Sequence, residues 1–125
     1  MKSIIDEIRE CNTIAAHETS RGFEKGFLFK SDFSGFQGHF PGNPILPAIV
    51  QLMTARESII EQMEKELVIA KISRAKFQKM IIPDIPFTVI WNVTNEENSF
   101  VCKCKLETDG EPASSFTITL IEKTN

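Results

Sequence analysis

Apolar and polar residues alternate along the last third of the chain. Phe87, Val89, Trp91 and Val93 interleave with Thr88, Ile90, Asn92 and Thr94. Phe100, Cys102, Cys104 and Leu106 interleave with Val101, Lys103 and Lys105, and Phe116, Ile118 and Leu120 with Thr117, Thr119 and Ile121. A period of two places each set on one face of a pleated strand. Asn95-Glu96-Glu97-Asn98 and Thr108-Asp109-Gly110 supply turn residues between them, so three strands at hairpin spacing are expected. Upstream, residues 67–79 form a further alternating, β-branched segment that ends at Pro83-Asp84-Ile85-Pro86.

The period changes between Pro47 and Glu66. Ile49, Leu52, Met53, Ile60, Met63 and Leu67 recur at steps of three and four, and Ala48, Val50, Ala55 and Ile59 widen the stripe. This predicts one long helix, buried in its first half and charged from Glu57 to Glu66, where it should emerge into solvent. At 1.5 Å per residue the rod is about 28 Å long, enough to run through a small domain. Before it, Ser3-Ile4-Ile5-Asp6 has capping-box spacing for a short helix over 3–9. A weakly marked strand over 10–18 follows, with His17 as a surface residue beside a turn at Ser20-Arg21-Gly22. A second strand over 22–32 carries Phe23, Phe27 and Phe29 on one face. Two strands, a buried helix and four more strands give an α+β class, an antiparallel sheet folded around a long central helix, as a single domain over 1–125.

Composition changes this picture little. The chain has 125 residues, 42% hydrophobic and 25% charged, with a net charge of −3. No stripe of Lys and Arg points to nucleic acid, and no apolar run approaches the ~20 residues needed for a membrane span. The N-terminus turns acidic at Asp6 and Glu7, too early for a secretory signal. Three cysteines, two of them on one face of a single strand, suggest reduced thiols in a cytoplasmic protein, and no metal site or cofactor is expected.

The chemistry concentrates in Gly38-His39-Phe40-Pro41-Gly42-Asn43-Pro44-Ile45-Leu46-Pro47. Its prolines fix φ and push the preceding residues out of the helical region. A stiff loop therefore presents His39 and leads into a helix start at Pro47, where a missing N–H does no harm. An imidazole with an unperturbed pKa of ~6.5 suits proton abstraction at neutral pH. The uncapped N–H groups beyond Pro47 suit a developing oxyanion.

Phe36-Gln37-Gly38-His39-Phe40-Pro41-Gly42-Asn43-Pro44-Ile45-Leu46-Pro47 resembles the active-site motif of the β-hydroxyacyl-ACP dehydratases of the FabZ/FabA type, which have the hotdog fold. Ile72 to Lys79, followed by Pro83, resembles that family's third strand, which lines the acyl channel; the similarity covers about residues 22–123. The resemblance implies dehydration of a (3R)-hydroxyacyl thioester to the trans-2-enoyl thioester, on acyl carrier protein or coenzyme A. It implies a homodimer or higher homo-oligomer, with active sites shared between protomers.

His39 is then the base and the N–H of Ala48 part of the oxyanion site. Phe40, Pro47, Gln51, Met53 and Phe77 are candidates to line the substrate site. Pro83-Asp84-Ile85-Pro86 stands where the family tends to have a Pro-Gly-Asp turn, and two positions on the helix also depart from the family. Alanine stands at residue 48, where glycine is usual, and keeps the N–H. The family's acidic residue falls fourteen positions after the histidine, which is Met53, and a thioether can neither donate a proton nor hold a charge. Glu57, one turn further on the same face, is the provisional acid. Two further readings stand beside it: an acyl thioesterase, since hotdog thioesterases use one helix carboxylate and water, and a non-catalytic acyl- or carrier-protein-binding module that lost its acid at Met53.

Overall fold

The structure is a computed structural model and describes residues 2–36, 42 and 44–124. It contains α1 (Ile4–Glu10), β1 (Asn12–Thr19), β2 (Gly22–Phe27), a 3-10 turn (Ser34–Phe36), α2 (Ala48–Met63), β3 (Leu67–Phe77), β4 (Phe87–Asn95), β5 (Phe100–Thr108) and β6 (Glu111–Glu122). The strands form one six-stranded antiparallel sheet in the order β1-β2-β4-β5-β6-β3.

The alternation seen in the sequence sets which face is inside. Phe87, Val89 and Trp91 of β4, Cys102, Cys104 and Leu106 of β5, and Phe116, Ile118 and Leu120 of β6 are all buried and in register across the sheet. Helix α2 packs Val50, Leu52, Ala55 and Ile59 into the same core. Fully burying a side chain of this size contributes roughly 1.5–3 kcal/mol, so this shared face is the main source of stability. An aromatic group at one end holds Phe29 stacked on Phe33 at 4.1 Å between centroids, with Phe36 edge-on to Phe33 at 5.7 Å.

Local signals explain the element ends. Ser3 caps α1 through a capping box with Asp6. Asp109 and Gly110, at φ 53° and 72°, make the two-residue hairpin between β5 and β6, the left-handed pair that an Asp-Gly turn allows. Helix α2 stops at Met63 because Glu64 takes a left-handed conformation, its N–H bonding to the Ile60 carbonyl.

Three expectations are corrected. The second strand ends at Phe27, not residue 32, because the Phe33 N–H bonds back to the Lys30 carbonyl and turns the chain. The last strand starts at Glu111, five residues before the apolar alternation announces it. Glu57 does not emerge into solvent: it is 6% exposed, and Ser58 and Ile59 beside it are fully buried. Helix α1 lies across that part of α2 and supplies the charge that makes burial of a carboxylate tolerable.

Candidate functional site at the start of helix α2

Helix α2 opens without a side-chain cap. Pro47 is its N-cap residue, at φ −63° and ψ 153°, and its carbonyl accepts the N–H groups of Val50 and Gln51, both at 3.1 Å. The first N–H groups of any helix lack an intrahelical acceptor and sit at the positive end of its dipole. The N–H of Ala48 is such a donor. Ala48 also lines a cavity of about 470 Å³, with Ile45, Leu46, Pro47, Gln51, Phe77, Gln78, Lys79 and Met80.

The walls differ in character. Phe77 closes the end of β3, 45% exposed and stacked on Phe116 at 6.3 Å. Met80 at 59% and Ile49 at 61% leave further apolar surface open. On the inner side Gln51 is buried. Its Nε2 donates to the Leu46 carbonyl at 3.0 Å, and its Oε1 accepts from the Ser114 hydroxyl at 2.7 Å. At the edge Lys79 pairs with the exposed Glu111 at 2.6 Å. The cavity thus joins an apolar slot to a helix N-terminus, a shape that suits an acyl chain with a polarisable carbonyl at one end.

The structure therefore brings Pro47, Ala48, Gln51 and Phe77 together around one hollow. His39 and Phe40 lie outside the described residues. Met53 is partly buried and packs against the core. Glu57 lines a different hollow, of about 330 Å³, with Ile8, Arg9, Lys25, Phe27, Ile60, Glu61 and Glu66. Both of its oxygens are engaged: Oε1 accepts from Arg9 Nε at 2.8 Å and Oε2 from Arg56 Nη2 at 3.2 Å. The hydrogen bond to Glu57, reinforced by its charge, holds the Arg9 guanidinium still more firmly in its protonated form. Glu57 is set as an acceptor, not as a donor.

Sequence reasoning missed this second cluster. Lys25 is 4% exposed, its Nζ 2.6 Å from Glu61 Oε1 and 5.3 Å from the Phe27 ring centroid. A signal was present, since Lys25 falls between Phe23 and Phe27 on the inward face of β2. Ser114 was missed too, because it precedes the alternating stretch of the last strand. The buried thiols take no part: desolvation raises Cys102 from an ordinary 9.0 to about 11 and moves Cys104 further in the same direction. Among the described residues no three His, Cys, Asp or Glu side chains are placed to hold a metal ion. No helix among them is long and apolar enough to cross a membrane.

Comparison with known proteins matches residues 15–116 to the ApeI-like family, described as ApeI dehydratase. The chain belongs to this dehydratase family. It is also 33% identical over 94 residues to the 3-hydroxyacyl-[acyl-carrier-protein] dehydratase FabZ of Levilactobacillus brevis. That match takes in 69% of this chain and 64% of the relative, so the chain spans somewhat less than two thirds of the relative's length.

Among solved structures, the dehydratase heterocomplex ApeI:P from Xenorhabdus doucetiae superposes with a TM-score of 0.75 at 19% identity, over 87% of this chain and 96% of that one. A thioesterase complexed with coenzyme A and zinc from Thermus thermophilus gives 0.62 at 13% identity, over 80% and 84%. At such identities the likeness concerns the fold, and the fold is the hotdog.

Proposed function

We propose that this dehydratase-family chain removes water from a 3-hydroxyacyl thioester, giving the trans-2-enoyl thioester, in fatty acid or related lipid biosynthesis. The observation that carries the reading is the cavity at the start of α2, where an uncapped helix N-terminus adjoins an apolar slot bounded by Phe77 and Met80. The thioester carbonyl lies against the Ala48 N–H. His39 takes the proton from the α-carbon, and the electron pair moves onto the carbonyl oxygen, where helix donors stabilise it. Collapse of the enolate forms the carbon–carbon double bond and breaks the bond to the 3-hydroxyl. That group leaves as water, with the proton returned by the imidazolium.

Both proton transfers are given to His39 because Met53 cannot donate and Glu57 is tied to Arg9 and Arg56. Glu57, the acid expected from the sequence, is the competing donor and would first have to leave those partners. The acyl group is carried on acyl carrier protein or coenzyme A, and the working unit is a homodimer. Strand β3 supports the dimer: it is an edge strand of eleven residues, paired only with β6 among the described strands. It exposes Ile72 and Phe77, and an open edge of this length favours pairing with a second copy.

The test is hydration of crotonyl and longer 2-enoyl thioesters, followed at the enoyl absorbance. Wild type should turn over, and His39→Ala should lose at least 10²-fold in kcat. Release of free thiol from acyl-CoA in place of hydration would make the chain a thioesterase. Tight acyl binding with no turnover would make it a binding module.

A further inference from the structure

Gln51 is a candidate to line the substrate site, and its side chain makes two hydrogen bonds within the protein itself, one of them from helix to sheet. Its carboxamide sits between three elements. Ser114 of β6 donates to Oε1 at 2.7 Å, and Nε2 donates to the Leu46 carbonyl at 3.0 Å. Leu46 belongs to the strap that runs from the His39 loop into α2, and it is fastened on its other side as well, its N–H donating to the Ile81 carbonyl at 2.8 Å. Both backbone groups of Leu46 are thereby satisfied, one by the chain after β3 and one by a side chain from the first turn of α2. Pro47 follows directly and has no N–H to add. Gln51, Ser114 and Leu46 are buried at 4%, 1% and 3% exposure, so each unmade bond would leave a desolvated polar group.

We infer that Gln51, oriented by Ser114, is a positioning residue: it clamps the strap at Leu46 and so fixes where the Ala48 N–H stands relative to the substrate carbonyl. The inference rests on the dehydratase reading for its catalytic consequence, but the clamp itself is a property of the fold. Catalytic donors must be held to a fraction of an ångström, and a displacement of about 1 Å can cost 10²-fold in rate. A carboxamide suits this place because it donates to a carbonyl and accepts from a hydroxyl at once. Leucine would fill the same volume and do neither.

The test uses the full-length protein, crotonyl thioester hydration and hydrogen exchange of the peptide covering residues 45–51. In Gln51→Leu and Ser114→Ala, exchange in that peptide should quicken about five- to tenfold, the equivalent of one hydrogen bond. In both variants kcat should fall about 10- to 100-fold with KM within about twofold. Gln51→Glu supplies the readout that loose packing would not move. When protonated, the introduced carboxyl donates to the Leu46 carbonyl and accepts from Ser114, restoring the clamp. Once ionised, it repels that carbonyl. The ratio of its kcat to that of wild type should therefore be near one at acid pH and fall as pH rises.

A flat ratio, or unchanged exchange in Ser114→Ala, would overturn the inference, and if Gln51→Leu does not fold these two measurements decide alone. A wild type without turnover would overturn the dehydratase reading and leave the clamp to be judged by exchange.

Discussion

Glu57→Gln separates the two parts that Glu57 could play. The Glu57 side chain is 5% exposed, against 54% for Arg9 and 24% for Arg56. The substitution keeps the shape and one acceptor oxygen but removes the charge, and it turns an amino group toward one of the two guanidinium groups. Breaking a fully buried pair costs about 3–5 kcal/mol, whereas exposed pairs contribute about 0–1. Here one partner is buried and the other half in water, so solvent screening discounts the Arg9 arm and the loss should be about 1–2 kcal/mol. For a domain of this size that lowers Tm by roughly 3–10 °C. Arg9→Met should cost a similar amount, because it leaves the buried carboxylate with Arg56 alone. The double variant should cost less than the sum by about 0.5–1.5 kcal/mol, since the two act through one bond.

Turnover decides the catalytic question. If Glu57 is an acceptor fixed in a structural pair, Glu57→Gln keeps kcat within about threefold of wild type, whereas removing a general acid costs 10²–10⁴-fold. Thermal unfolding followed by circular dichroism and enoyl thioester hydration, measured on the same preparations, give both numbers. A hundredfold loss of kcat with unchanged Tm, together with full activity in Arg9→Met, would refute this reasoning and make Glu57 the acid.

Two further predictions concern stability and assembly. Burial raises the Cys102 thiol to about 11, so the folded state holds its proton after the unfolded chain, near the ordinary 9.0, has lost it. Its contribution to stability is complete below pH 9 and is lost as pH rises toward 11, because the unfolded state then binds fewer protons. Tm measured from pH 8 to pH 11 should therefore fall less steeply in Cys102→Ala than in wild type, and parallel curves would contradict the assignment. Ile72→Lys places a charge on the open edge strand at a residue already 45% exposed. It should leave monomer stability within about 0.5 kcal/mol and convert a dimer to monomer in size-exclusion chromatography with light scattering; an unchanged dimer would move the interface away from β3.

What the sequence made legible follows from how far apart the interacting residues are. The strands β4, β5 and β6 and the helix α2 announce themselves because periods of two and three to four are written in neighbouring residues, and burial of Trp91, Cys102, Leu106 and Ile118 follows from the alternation alone. The helix start at Ala48 is equally local, set by Pro47 and the prolines before it. Glu57 is the opposite case. Its fate depends on Arg9, forty-eight residues away on a short helix whose own pattern gives no sign of the contact. A rule that sends charged helix ends into solvent has no means of seeing a guanidinium arriving from another element.

Gln51 and Ser114 show the same limit within the site. Each is an ordinary polar residue in its own segment, and their bond spans sixty-three positions. A loop motif can name the group that reacts, but the bonds that hold such a loop in place join residues that only the fold makes neighbours. For that reason Ser114→Ala, which removes one hydroxyl from β6 and touches no residue of the motif, is expected to slow a reaction that the motif alone would assign wholly to His39 and the start of α2.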